Sequence, residues 1–287
     1  MTMLNHFQEP EMFRDALALT RGQTGFAERL IEKDYYCTAL LEYLAAECSG
    51  LVFKGGTCLA KVHADFFRLS EDLDFVIPTP GDAPRSERSK RAKPLKAAVA
   101  ALSKHLTAFR LAEPLTGANN STQYNAVLGY QSLVSEREET IKIEVGLREP
   151  LLVATLNGQA RTLLLDPVSR VAMVKPLALA CISKQEAFAE KFRAALSRRE
   201  VAVRDFFDLD YAVRKLELRQ DDKDLVGMLR QKLAVRGNDP VDISDRRWLA
   251  LRQQVSSELQ PVLRPGDFAE FEVERAIRIV TDMAARL

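Results

Sequence analysis

Three shortages bound what this chain can be. It has only four cysteines (Cys37, Cys48, Cys58, Cys181) and three histidines (His6, His63, His105), scattered without paired spacing, so neither a disulfide framework nor a structural zinc site is expected. No apolar run approaches the length of a membrane span, and the start lacks the basic, apolar and small-residue order of a signal peptide; a cytoplasmic address with no membrane partner is the default. Excess charge of one sign is also missing. Forty-one basic residues face 40 acidic ones, a net charge of +1, so any RNA-binding surface must come from local segregation of charge. What is present suits a folded protein: 47% hydrophobic and 28% charged residues over 287 positions, enough for one large domain or two modest ones.

Chemistry is concentrated in residues 51–77, LVFKGGTCLAKVHADFFRLSEDLDFVI. The apolar run Leu51, Val52, Phe53 reads as a short buried strand that stops at Gly55-Gly56, where the backbone can turn tightly and approach a ligand closely. Thr57 opens a helix. First-turn N–H groups with the Thr57 hydroxyl beside them make a seat for phosphate oxygens, with Lys61 a helper one turn along. Downstream, Asp72 and Asp74 lie two apart in a strand pattern and so face the same way, while Leu73, Phe75 and Ile77 point to the core. Paired carboxylates repel unless a cation sits between them. Mg²⁺ fits, with Mn²⁺ as the alternative, and Glu144 in Ile141-Lys142-Ile143-Glu144-Val145 is the candidate third acid.

These residues resemble the polymerase-β-like nucleotidyltransferases, whose signature is a Gly-Gly or Gly-Ser turn, an acidic-x-acidic strand and a later lone acidic strand residue. More narrowly, KGGTCLAK followed by RLSEDLDF is similar to the AbiEii and MenT-like group of toxin nucleotidyltransferases. The resemblance spans roughly residues 30 to 215 and includes Gly-Gly-Thr, the Ser-x-Asp-x-Asp run from Ser70, Glu190-Lys191 and the Arg204-Asp205 to Asp208-Leu209 segment. It implies nucleotide contacts from Gly55, Gly56, Thr57, Ser70 and Lys191, with Asp205 or Asp208 as the supporting carboxylate. It also implies an NTP substrate, a tRNA 3′ end as acceptor, an antitoxin partner and a role in phage defence. Glu32-Lys33-Asp34 recurs in the same group, but helical spacing alone reads it as a solvated face. Cys58 departs from the small hydroxyl or alanine more usual at its position; it reads as a packed small residue and is assigned no chemistry.

The rest of the chain is read from pattern. Residues 11–47 are helix-rich. The run 85–96 holds six basic residues against one acid, read either as a solvated loop and helix start or as an RNA-phosphate contact. Residues 125–134 and 140–147 form antiparallel strands about the turn 135–139, with a further short strand at 162–166. From about 171 the pattern is helical throughout. Ser183 with Glu186, and Ser197 with Glu200, have capping-box spacing, which splits the region near 197. A continuous helix would hold Lys191 and Asp208 about 25 Å apart; a hairpin brings them together.

The expectation is thus an α+β, two-lobed nucleotidyltransferase fold: a mixed β-sheet with flanking helices over 1–170, carrying the metal site of Asp72, Asp74 and Glu144, and a helical lobe over 171–287. The alternatives are an enzyme on this scaffold that modifies a protein or small molecule, and a catalytically silent RNA- or partner-binding module.

Overall fold

A computed structural model describes residues 5–287. The chain divides into two compact units, one comprising residues up to Leu151 with Thr155–Ile182, the other Leu152–Ala154 with Ser183–Leu287.

The first unit contains α1 (Pro10–Thr24), α2 (Glu28–Glu47), β1 (Val52–Lys54), α3 (Gly55–Cys58) running on as a π turn Leu59–His63, β2 (Leu73–Val76), α4 (Arg85–His105), β3 (Phe109–Ala118), β4 (Gln123–Gln131), β5 (Glu138–Gly146), β6 (Leu156–Ala160) and β7 (Leu177–Cys181). The strands form one mixed sheet in the order β3-β4-β5-β2-β1-β7-β6. β2 runs parallel to β5 and β1 parallel to β7, while the other neighbours are antiparallel. Strand alternation sets one face of the central strands against the core: Phe53, Leu73, Phe75, Ile143, Val145 and Ala126 are buried.

Helix α2 is buried on more than one face. Tyr36 packs against Tyr130 of β4 with the rings tilted by 30° and their centroids 4.0 Å apart, and edge-on against Phe109 of β3 at 5.5 Å. Each such side chain stabilises the fold by about 1.5–3 kcal/mol through burial. The same helix buries Glu32, Lys33 and Asp34, which corrects the solvated-face reading. Glu32 accepts from Ser132 Oγ at 2.5 Å and Leu133 N at 2.7 Å. Asp34 accepts from Thr162 Oγ1 at 2.7 Å and Leu163 N at 3.1 Å and ion-pairs with Lys61 at 2.7 Å. Buried charges persist where they are paired and hydrogen-bonded. Here they stitch α2 to the loops after β4 and β6.

The basic run 85–96 is helical from Arg85 onward. Arg88 is buried and donates to the carbonyls of Leu147 and Gly81, at 3.2 and 3.0 Å.

The second unit holds α5 (Lys184–Ser197), α6 (Val203–Lys215), α7 (Lys223–Ala234), α8 (Asp245–Gln254), α9 (Pro265–Glu270) and α10 (Val273–Ala284). Ser183 caps α5, its Oγ accepting from Glu186 N at 3.1 Å. The Glu186 carboxylate does not close the box. It accepts from Leu152 N and Val153 N and pairs with the fully buried Lys232 of α7 at 2.7 Å. Helix α10 buries Ala276, Ile277, Val280 and Met283 along one stripe, packs on α6, and its Arg275 pairs with Asp210 there.

Three local expectations are corrected. Residues 177–181 form β7 instead of helix: Leu-Ala-Leu-Ala-Cys alternates exposed and buried, and its neighbours β1 and β6 supply the ladder partners that override helix propensity. Ser197 ends α5, with its Oγ donating to Arg193 O at 2.9 Å, so the cap expected with Glu200 does not form and α6 starts at Val203 after Ala202. In 162–166 the ladder amounts to one bridge, Leu165 to Ala172.

A carboxylate cluster beside a glycine turn

The site is built by register. Asp74 on β2 is the Cα partner of Glu144 on parallel β5 and of Lys54 on antiparallel β1, and Glu144 is in turn the partner of Asn125 on β4. Partners across a sheet share a face, so Lys54, Asp74, Glu144 and Asn125 form a polar row on the side away from Phe53, Phe75 and Val145. Asp72 stands immediately before β2, two residues from Asp74. Its carboxylate accepts from the main-chain N–H of Lys142 at 3.4 Å. Asp74 and Glu144 therefore share one face of adjoining strands, and Asp72 stands at the entry to β2, tied to β5 by the Lys142 bond.

The glycine turn abuts this row. Gly55 has φ +75°, in the left-handed region, and a Cβ there would collide with the Asp74 carboxylate. Glycine is needed both for the conformation and for the approach. A Cβ on Gly56 would lie 2.6 Å from Arg68 Nη2 and 3.1 Å from Ser70 Oγ, which puts the guanidinium and the Ser70 hydroxyl beside the turn. The Thr57 hydroxyl donates to the main-chain carbonyl of Asp72. That bond corrects its expected place among the phosphate contacts: it joins the turn to the start of the carboxylate strand.

Burial and like charge shape the electrostatics of the cluster. Burial pushes the Asp72 carboxyl above its ordinary value; the bond from Lys142 N and the Lys33 ammonium oppose the rise, while the Glu71 and Glu144 carboxylates add to it. The Lys142 ammonium donates to Glu144 and is held above its usual range by that bond first, then by the charges of Glu144, Asp72 and Asp74. Behind the row, Glu71 pairs with Arg29 at 2.9 Å and Lys33 at 3.2 Å. Burial raises its carboxyl, but Lys33 and Arg29 outweigh this and hold it low.

Lys61 is also reassigned. Its side chain is fully buried, and Nζ reaches Asp34 Oδ1 at 2.7 Å, Thr38 Oγ1 at 2.7 Å and the Arg161 carbonyl at 3.1 Å. The Leu59–His63 turn directs it inward to α2, so it anchors the helix after the glycine turn and offers no exposed ammonium to a phosphate.

In the second unit the α5–α6 hairpin brings Lys191 between two carboxylates, 2.7 Å from Asp205 and 2.8 Å from Asp208. The resemblance leaves the choice between them open; the ammonium engages both. Arg247 braces the hairpin, donating to the carbonyls of Ala195 at 2.7 Å and Arg198 at 2.8 Å at the end of α5.

Sequence reading missed Lys142, Lys54 and Asn125. The first was legible, since it shares the two-residue period of Glu144. The other two need the strand order.

Asp74 and Glu144 are register partners on one face, Asp72 stands in the bend just before β2, and Lys142 and Lys54 border them. This donor set suits a hard divalent cation with oxygen ligands. The fold as a whole is similar to that of MenT4, a nucleotidyltransferase toxin from Mycobacterium tuberculosis (TM-score 0.55, 19% identity, 94% of this chain and 98% of that one). It is also similar to JHP933 from Helicobacter pylori (TM-score 0.52, 17% identity, 91% and 92%). No curated protein matches the chain. The family model described as nucleotidyl transferase AbiEii toxin, type IV TA system, matches residues 39–277, reaching well into the tail that motif resemblance left unassigned. The chain thus belongs to the AbiEii family of nucleotidyltransferase toxins of type IV toxin–antitoxin systems.

Proposed function

We propose that this enzyme moves a nucleoside monophosphate from an NTP to a hydroxyl acceptor, the 3′ end of tRNA, using Mg²⁺ held by Asp72, Asp74 and Glu144. The observation that carries the reading is the register of Asp74 with Glu144, with Asp72 at the entry to the same strand and Gly55 against Asp74. When bound, a divalent ion at these carboxylates supplies charge neutralisation to the triphosphate and acidifies the attacking hydroxyl.

The remaining work falls to the chain. First-turn N–H groups at Gly55 and Gly56 have no intrahelical acceptor and receive phosphate oxygens, with Ser70 bordering the same turn. The Lys142 ammonium, bonded to Glu144, exchanges that partner for a phosphate oxygen as charge develops on the leaving pyrophosphate. In the second unit, Lys191, ion-paired with Asp205 and Asp208, is the lysine to which the family resemblance assigns a nucleotide contact. No covalent protein intermediate is required, because positioning and charge compensation provide the rate enhancement.

A cognate antitoxin would restrain the activity, and growth arrest through blocked tRNA would serve defence against phage. The test is incubation of purified protein with each labelled NTP, with and without total tRNA. Label is expected on the tRNA 3′ end. Label appearing only on protein or a small molecule would replace the tRNA acceptor with the rival one while leaving the transferase chemistry in place.

A further inference from the structure

Outside the carboxylate cluster, the first unit gathers a second set of chemically distinct donors. Cys58 follows the glycine turn on α3, His63 ends the π turn, and Cys181 ends β7. One ligand atom from each lies within 4.8 Å of the others. The topology makes the meeting: Phe53 on β1 is the partner of Cys181 on β7, and Ile182 N donates to Phe53 O at 2.9 Å, so the strand that delivers Cys181 lies beside the strand that leads into Cys58. Both sulfurs are buried, and the histidine is half-buried.

Two further details fit metal ligation. The His63 Nε2 lies 2.9 Å from the Ile182 carbonyl oxygen. A carbonyl only accepts, so Nε2 carries the proton and the lone pair is left on Nδ1. This is the outer bond that metal-binding imidazoles commonly make. Gly158 on β6 clears the space at the other donor, since a Cβ there would stand 2.5 Å from Cys181 Sγ and 2.8 Å from Val62 Cγ1.

We propose that Cys58, His63 and Cys181 form a zinc site with a Cys₂His donor set. Two thiolates and an imidazole select a borderline-soft ion and reject Mg²⁺ or Ca²⁺, so the site is chemically separate from the carboxylate cluster. Binding Zn²⁺ to two thiols and a neutral imidazole releases two protons, one from each sulfur, with no change of oxidation state. An exogenous ligand completes the tetrahedron. The bound ion ties α3 to β7 and so fixes the turn at Gly55-Gly56 from behind.

The test uses the whole chain purified with reductant and loaded with Zn²⁺, then with Co²⁺. Metal analysis is expected to give one zinc per chain, retained in Asp74→Asn. Co²⁺ is expected to give a thiolate-to-cobalt charge-transfer band and tetrahedral d–d bands. Cys181→Ser should lose the band. His63→Ala, at a half-exposed position that leaves the core intact, should retain zinc about 100-fold more weakly, with circular dichroism confirming the fold. A zinc-selective chelator should lower Tm for the zinc-loaded parent chain by more than for His63→Ala. Absence of the charge-transfer band would overturn the site. So would zinc retention unchanged in both variants, or a mass showing Cys58 and Cys181 joined as a disulfide in reductant.

Discussion

Asp74 and Glu144 are Cα partners on adjacent parallel strands, and this pairing across a long stretch of sequence is what joins a local Asp-x-Asp motif to a third carboxylate. Parallel partners point the same way. An acid on β5 one residue to either side of Glu144 would face the core. Moving the glutamate from 144 to 143, as the double change Ile143→Glu with Glu144→Ile, is therefore expected to abolish transfer and to destabilise the fold, measured as lost label and lower Tm. Transfer at parental rate would mean that register does not matter.

Gly55 carries two constraints at once. Gly55→Ala places a Cβ in the left-handed region, at about 1–2 kcal/mol, and into the Asp74 carboxylate. The expected result is a small loss of Tm and a disproportionate loss of kcat, because the displaced group is the carboxylate itself. A loss confined to Tm, with kcat unchanged, would remove the turn from the site.

Lys61 and Lys191 look alike in sequence and are expected to separate in a rescue experiment. Removing one member of a buried ion pair costs about 3–5 kcal/mol, so Lys61→Met and Lys191→Met should each unfold at lower denaturant. For Lys61 the second change Asp34→Asn should recover both stability and transfer. For Lys191 the added changes Asp205→Asn and Asp208→Asn should recover stability while the NTP KM stays high. Recovery of KM in the second series would show that Lys191 only braces the hairpin.

Asp72 is expected to show a trade of stability for function. Its carboxyl is raised above the ordinary value of 3.8, chiefly by burial. Its ionised form is therefore disfavoured in the metal-free fold, a penalty present above the folded pKa and lost as pH falls through it toward the ordinary value. Asp72→Asn keeps an acceptor for Lys142 N. It should raise the Tm of metal-free protein most at neutral pH, and the gap should close on acidification, while transfer is abolished. An unchanged or widening gap at low pH would contradict the cause given for the shift.

Much of this was legible in the chain. Gly55-Gly56, Asp72 and Asp74 announce themselves by residue type and spacing, and the strand pair around 135–139 by alternation. What escaped was decided by long-range partners. Glu32, Lys33 and Asp34 look solvated on a helical wheel because their partners, Ser132, Glu71 and Lys61, lie far along the chain or on another element. Lys61 looked exposed for the same reason. Residues 177–181 have no strand signal of their own beyond alternation, and form β7 because β1 and β6 offer edges. The Cys58, His63 and Cys181 meeting follows from the β1–β7 pairing, which no local spacing encodes.

The most direct measurement of the central claim is transfer of labelled nucleotide by Asp74→Asn beside the parent chain, with circular dichroism and Tm showing the fold intact. Asparagine preserves shape and removes the charge that a divalent ion needs. Transfer is expected to fall by at least about 100-fold, with added Mg²⁺ or Mn²⁺ unable to restore it. Transfer at the parental rate by a folded Asp74→Asn protein would contradict the assignment of the carboxylate face as the site of chemistry.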